Sequence, residues 1–204
     1  MNGFDLPIKV KSKHMVWPRL DIYYPMVRRL NNADAEEAIN RQILETVHQM
    51  VKDLGYFENP MTTITGYYEI KTNERNVLSL VLNIFGYSGG AHGITLLRGL
   101  TFNVETGKSY SLAELFKPGS DYVRRLSAIV DAQIRMRDVT LLDEFTGIRP
   151  DQDYYVADKA LVIFFQLYEL TPYAYGFPMF PISVYDLSDI IDENGPLWPM
   201  LENV

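Results

Sequence analysis

The chain has 204 residues, 47% of them hydrophobic and 22% charged, which excludes intrinsic disorder, collagen-like repeats and low-complexity scaffolds and allows one large domain or two small ones. Twenty-six acidic against nineteen basic side chains leave a formal charge of -7, which opposes the counterion release that drives binding to nucleic acid or an anionic membrane. The absence of cysteine rules out disulfides, thiolate metal sites and cysteine nucleophiles.

At the N-terminus, Leu6, Ile8 and Val10 alternate with Lys9, Lys11 and Lys13. That is the period of a strand, not the basic-then-apolar pattern of a secretory signal. A complete chain that starts this way is expected in the cytoplasm. Leu6 to Val10 and Leu20 to Tyr24 read as one or two strands ending at Pro25, because proline lacks the ladder donor. A helix is predicted over Ala33 to Leu54. Asn31-Asn32 cap it, Asp34, Glu36 and Glu37 favour its first turn, and Ile39, Ile43, Val47, Val51 and Leu54 form one stripe before Gly55.

From Thr62 to Tyr87 the pattern turns to β. Gly66 to Ile70 and Val77 to Phe85 flank the polar turn Thr72 to Asn76 and predict a hairpin. The second arm is apolar on both faces, which places it mid-sheet. Ser88-Gly89-Gly90-Ala91-His92-Gly93 interrupts the pattern, Ile94 to Val104 resumes it, and Glu105 to Lys108 turns again. Ser111-Leu112-Ala113-Glu114 is a capping-box pattern for a short helix that stops by Pro118. Gly119-Ser120 is expected to cap a second long helix, with Tyr122, Leu126, Ile129, Val130 and Ile134 inward and its end near Arg137.

A polar connection from Thr146 to Asp153 leads to a second hairpin, Tyr154 to Val156 and Ala160 to Leu170, about Ala157-Asp158-Lys159. The apolar run Ala160 to Phe165 within it is far short of the ~18–20 residues that cross a bilayer. An aromatic loop from Tyr173 to Pro181, a strand from Ile182 to Tyr185 and an acidic tail from Asp186 complete the chain. The expected class is α+β, with antiparallel sheets packed by two long helices. The expected divisions are residues 1–92, residues 93–191 and a tail over 192–204.

Three histidines, His14, His48 and His92, do not have the spacing of a zinc site, so no metal or cofactor is expected. His92 in the glycine-rich loop reads either as a hydrogen-bonding or proton-transfer group or as a loop residue satisfying nearby backbone. Ser88-Gly89-Gly90 reads either as a backbone cradle for a ligand or as a bulge, and it matches neither a Walker loop nor a nucleophile elbow. Asp151 and Asp153 beside Pro150 are turn chemistry. Tyr168, Tyr173, Tyr175, Phe177 and Phe180, stiffened by Pro172, Pro178 and Pro181, offer large contact area at low entropic cost. They read as a surface for a protein groove or a sugar face, or as rings capping the core. The candidate ligand-binding residues are therefore Tyr87, Ser88, Gly89, Gly90, His92, Tyr168, Tyr173, Tyr175, Phe177 and Phe180.

Three segments carry a resemblance: Tyr87-Ser88-Gly89-Gly90-Ala91-His92-Gly93, Phe102 to Lys108 leading to Leu112-Ala113-Glu114-Leu115-Phe116, and Tyr168 to Gly176. With them the chain, from about Leu20 to Ile191, resembles the paired domains of RsiV-like anti-sigma factors, which also occur beside the catalytic domain of some peptidoglycan deacetylases. The resemblance implies an α+β fold in two intimately packed subdomains. It further implies an extracytoplasmic sensor that binds lysozyme. These 204 residues contain no sigma-binding segment, no transmembrane helix and no deacetylase domain, so sigma sequestration and deacetylation are not expected of them. The expected function is a non-catalytic binding or sensor module for a lysozyme-like protein or a peptidoglycan fragment. The alternative is a small hydrolase acting on a cell-wall or glycan substrate through His92 and a carboxylate such as Glu169.

Overall fold

The computed structural model describes residues 7–201, so Leu6 of the first predicted strand lies outside the described residues. The fold is α+β and divides into two units after Ser109. No helix among the described residues is long and apolar enough to cross a membrane.

The first unit contains β1 (Lys9–Trp17), β2 (Leu20–Arg28), α1 (Ala33–Asp53), β3 (Thr63–Glu74), β4 (Val77–Tyr87) and β5 (Ile94–Asn103). These strands form one sheet in the order β1-β2-β3-β4-β5. All neighbours are antiparallel except β2 and β3, which run parallel over Leu20 to Ile22 and Ile64 to Gly66 and are joined through α1, as a parallel pair requires. Asn32 caps α1 by accepting from the N–H groups of Asp34 and Ala35. Ile39, Ile43, Val47 and Val51 form the expected stripe and pack with Leu20, Ile22, Ile64, Leu80, Leu82, Ile84 and Phe102 in one core.

Pro25 does not end a strand as expected; it sits inside β2, opposite Ser12. Val27, two residues on, turns its N–H away from β1, onto the Asn40 side chain, and Pro25 shares that parity. Beyond Ile22 the β3 side of β2 has no strand partner, so the missing proline donor breaks no ladder bond. Asn40 fills this edge: Val27 N–H donates to its Oδ1 at 2.8 Å, and its Nδ2 donates to Val27 O at 3.0 Å. Asn73 makes the same pair of bonds with Ile8, at 3.0 and 2.9 Å. Each amide imitates a strand neighbour.

The β3–β4 turn is tighter than the predicted five residues. Arg75 and Asn76 both have positive φ, 51° and 62°, as a two-residue type I′ hairpin demands. β4 lies mid-sheet as predicted, and its buried Ser79 hydroxyl meets that of Thr101 on β5 at 2.9 Å. Because β5 pairs with β4 from Ile94 to Asn103, the first unit continues to Ser109, past the division after His92 read from the sequence. Gly93 is obligatory at the start of β5: a Cβ there would fall 2.3 Å from the Phe85 ring.

The second unit contains α2 (Tyr122–Met136), β6 (Tyr154–Ala157), β7 (Ala160–Phe164) and β8 (Met179–Ser183), the strands forming one antiparallel sheet. α2 buries Leu126, Val130 and Ile134, while Tyr122 and Ile129 are only half-buried, so its apolar stripe is narrower than predicted. The Ser111 box is half-formed: the Ser111 N–H and hydroxyl both donate to Glu114 at 2.9 Å, over a single 3-10 turn. Asp121, not Gly119-Ser120, is the N-cap of α2.

β7 stops at Phe164 instead of continuing to Leu170. Gln166 to Glu169 form a turn closed by Gln166 N–H to the Glu169 carboxylate at 2.7 Å, with Tyr168 at φ 65°. β8 starts three residues before the predicted strand, and Phe180 and Ile182 alternate inward opposite Ile163 and Leu161. The segment after Ile191 is not wholly a free tail, because Leu197 and Met200 are fully buried and Asp192 N–H bonds Leu115 O at 3.1 Å.

Candidate functional site

The two candidate loops fall in different units and each is built by its own elements. Tyr87, Ser88, Gly89, Gly90 and His92 form the β4–β5 connection. Its polar groups are largely turned back on the protein. The Tyr87 hydroxyl donates to Gly90 O at 2.9 Å, the Ser88 hydroxyl meets that of Thr62 at 2.9 Å, and Asn59 Nδ2 donates to Ser88 O at 3.3 Å. Gly89 and Gly90, at φ 87° and 110°, supply backbone angles that other residues rarely adopt. His92 is exposed, with Nδ1 2.9 Å from Gly93 O. The loop is a tied turn in which Ser88 is already engaged by the segment before β3.

In the second unit Tyr168 and Tyr173 stand with ring centroids 5.4 Å apart. Tyr175 follows on a 3-10 turn held by Tyr175 N–H to Pro172 O at 2.9 Å and Gly176 N–H to Tyr173 O at 3.0 Å. Tyr168 and Tyr175 are 49% and 42% exposed, and Phe177 is half-buried. Phe180 is a correction: it is fully buried, edge-on to Phe165 at 5.8 Å, because its inward parity on β8 makes it core. It supports the loop from beneath and cannot meet a ligand. Arg137, which the sequence reading passes over as a helix end, completes this surface. Its guanidinium lies 5.1 Å from the Phe180 ring, donates to Met179 O at 2.8 Å and reaches the Tyr175 hydroxyl at 3.4 Å.

Glu169 is held by its own unit. Its carboxylate accepts from Arg149, from Gln152 Nε2 at 3.2 Å and from Gln166 N–H at 2.7 Å. A hollow of about 210 Å³ beside it is walled by Phe145 and Phe165, with Asp143 and Glu144 among its lining. A shift in acidity falls on a residue outside the expected set. Burial, then the charge of Asp151, pushes the Tyr122 phenol above its usual value, while its hydroxyl donates to Pro150 O at 2.9 Å and its ring stacks on Phe116 at 5.2 Å.

Two further features of the first unit escape sequence reasoning. A groove of about 620 Å³ runs between β2 and α1, with Tyr24, Met26, Leu30 and Leu44 against Glu37 and Glu45. Leu44 lies off the buried stripe of α1, which is the one sequence signal of it. His14 faces away from that groove, stacked on Tyr23 and paired with Asp21.

Residues 11–95 match the family model described as Deacetylase PdaC, and residues 113–185 match the one described as Protein of unknown function (DUF3298). The chain is 25% identical over 185 residues to the peptidoglycan-N-acetylmuramic acid deacetylase PdaC of Bacillus subtilis (strain 168), covering 84% of this chain and 38% of the relative. It is 27% identical over 188 residues to the anti-sigma-V factor RsiV of the same organism, covering 84% of this chain and 65% of the relative. The chain therefore spans less than two thirds of either protein. Two solved structures share its fold. A DUF3298 member from Bacteroides fragilis has TM-score 0.73 at 14% identity, covering 98% of this chain and 100% of that one. A DUF3298 protein from Pseudomonas aeruginosa has TM-score 0.72 at 13% identity, covering 93% and 97%. Homology to RsiV and PdaC bears out the resemblance carried by the sequence motifs: the chain is related to an anti-sigma factor and to a peptidoglycan deacetylase.

Proposed function

We propose that this chain is a non-catalytic binding module whose ligand is a lysozyme-like protein, met by the exposed rings of Tyr168 and Tyr175 and the half-buried ring of Tyr173 beside Arg137. One observation carries the reading: 84% of the chain aligns with a deacetylase and 84% with an anti-sigma factor, so most of it is common to both. A part common to two proteins of such different activity serves something they share, which neither sigma binding nor deacetylation does. The physical setting supports a protein ligand. Tyrosines on a turn stiffened by Pro172 and closed by Gly176 bury area at little entropic cost, and an arginine among them is the composition of a binding hot spot. The charge of -7 favours encounter with a basic protein such as a c-type lysozyme. The hydrolase reading is weaker, because the Glu169 carboxylate is occupied by three donors of its own unit and His92 Nδ1 is turned onto Gly93 O.

The experiment is a calorimetric titration of the purified chain with c-type lysozyme and, separately, with muropeptides. Saturable lysozyme binding that Tyr175→Ala and Arg137→Ala each weaken is the expected result. Absence of lysozyme binding at ~100 µM, where weak specific complexes are still detected, refutes it. Binding of muropeptides alone would transfer the site to a glycan ligand.

A further inference from the structure

The sheet of the first unit has a second face, turned away from α1. Gly66 fixes the direction: a Cβ there would lie 3.1 Å from the Ile84 side chain and 3.2 Å from that of Ile22, so positions 22, 66 and 84 share the core side. Positions 21, 23, 65, 67, 83 and 85 therefore share the other. The register pairs His14 with Tyr23 and Tyr67 with Asn83, and Tyr23 and Tyr67 each follow the paired Ile22 and Gly66. His14, Tyr23, Tyr67 and Asn83 thus follow one another across four strands, with the β2–β3 pairing ending one residue before Tyr23 and Tyr67. The adjoining row is Asp21, Thr65, Phe85 and Thr95.

Two properties set this face apart. Val81 and Leu97 on this face are buried, but at β2 and β3 it opens to solvent, where a sheet is ordinarily polar, and there Tyr23 and Tyr67 are 46% and 51% exposed in one row with an imidazole. One of the rings is also fixed in place. His14 lies parallel to Tyr23, with centroids 4.1 Å apart and planes 5° apart, and its Nε2 is 2.9 Å from the Asp21 carboxylate. Rings held this way by strands lose little freedom when a ligand arrives.

We propose that this row is a binding platform for a neutral β-linked oligosaccharide. The C–H faces of pyranose rings pack on aromatic faces, and sugar hydroxyl and amide groups need donors and acceptors beside them. Asn83 supplies an amide one strand spacing, about 4.8 Å, from Tyr67, and Asp21 and Thr65 supply a carboxylate and a hydroxyl two positions along the strand, about 7 Å, from Tyr23 and Tyr67. The row crosses three strand spacings, roughly 14 Å, which gives room for several sugar units. A polyanion is opposed by Asp21 and by the net charge of -7. A protein partner would be met by an apolar centre with a polar rim, whereas here polar groups alternate with the rings.

The platform lies in the first unit and stands apart from the lysozyme reading, which rests on the second, so either can fail without the other. The test is a titration of the whole chain with chitotetraose, followed by calorimetry and by amide shifts in heteronuclear NMR. Saturable binding with Kd near or below ~1 mM is expected, with shifts centred on β2, β3 and β4. Tyr67→Ala should weaken it at least tenfold and leave the thermal midpoint unchanged, because the ring is half in solvent. Tyr175→Ala should bind the sugar as the parent does. No saturable binding up to ~10 mM, or binding that Tyr67→Ala leaves unaltered, overturns the proposal.

Discussion

Asn40→Asp tests the idea that a side-chain amide stands in for a missing strand neighbour. In the folded chain the Asn40 amide both accepts from and donates to Val27, at 2.8 and 3.0 Å. The aspartate keeps the acceptor but turns the donor into a second oxygen facing the Val27 carbonyl. Loss of the bond costs about 1 kcal/mol, and leaving the carbonyl without a donor costs a further 1–3 kcal/mol. Asn40 is half-buried, so water relieves part of this and the total should be about 2–3 kcal/mol at pH 7. Repulsion from the carbonyl raises the pKa of the introduced carboxyl in the folded state above its unfolded value of ~3.9. The folded variant then holds a proton more tightly than the unfolded one. Its deficit relative to the parent is fullest above the raised pKa and shrinks as pH falls through it, because the protonated group donates to Val27 O again. Urea melts of both proteins at pH 7 and pH 4, compared at equal m, measure this. A deficit below ~0.5 kcal/mol at pH 7, or one that does not change with pH, would refute the strand-mimic reasoning.

Val47→Ala removes two methyl groups from a fully buried position on α1 and should cost about 2 kcal/mol, whereas Arg41→Ala breaks only an exposed pair with Glu37 and should cost under ~0.5 kcal/mol; equal losses in urea melts would mean that the helix faces are misassigned. Tyr122 has a folded-state pKa above its ordinary value of ~10, so its contribution to stability is complete below ~10 and is lost as pH rises through the folded pKa. Tyr122→Phe should therefore show a shallower fall of thermal midpoint across that alkaline range than the parent, and parallel curves would remove Tyr122 as the cause.

Local signals made α1 and the β3–β4 hairpin legible. Asn32 and the Ile39-Ile43-Val47-Val51 stripe act within a few residues of one another, and the two-sided apolarity of Val77 to Phe85 needs no knowledge of its partners. Where the sequence reading departs from the structure, a distant group decides. Pro25 is tolerated because β2 leaves β3 after Ile22, which no residue near Pro25 announces. β7 ends early because Glu169 folds back onto the Gln166 N–H, while Leu161 to Phe165 look the same whether or not the strand continues. β5 belongs with the first unit through its pairing to β4, a contact hidden by the glycines that break the pattern between them.

The candidate sites follow the same division. The aromatic loop was visible as composition, but composition cannot separate rings by direction. Alternation on β8 sends Phe180 into the core, and the αL turn at Tyr168 and the 3-10 turn at Tyr175 leave those rings outside. Arg137 joins them only because α2 ends beside β8, where its guanidinium finds Met179 O. The row of His14, Tyr23 and Tyr67 was wholly illegible, since the parallel pairing that ends just before Tyr23 and Tyr67 is made across α1 and involves only three residues of each strand. The two surfaces consequently differ in chemistry. Rings tilted 33° to one another on short turns next to an arginine present an uneven contact, as a protein surface requires. Rings fixed on neighbouring strands, one of them held by an imidazole–carboxylate pair, present a flat and repeating contact suited to a regular polymer of sugar units.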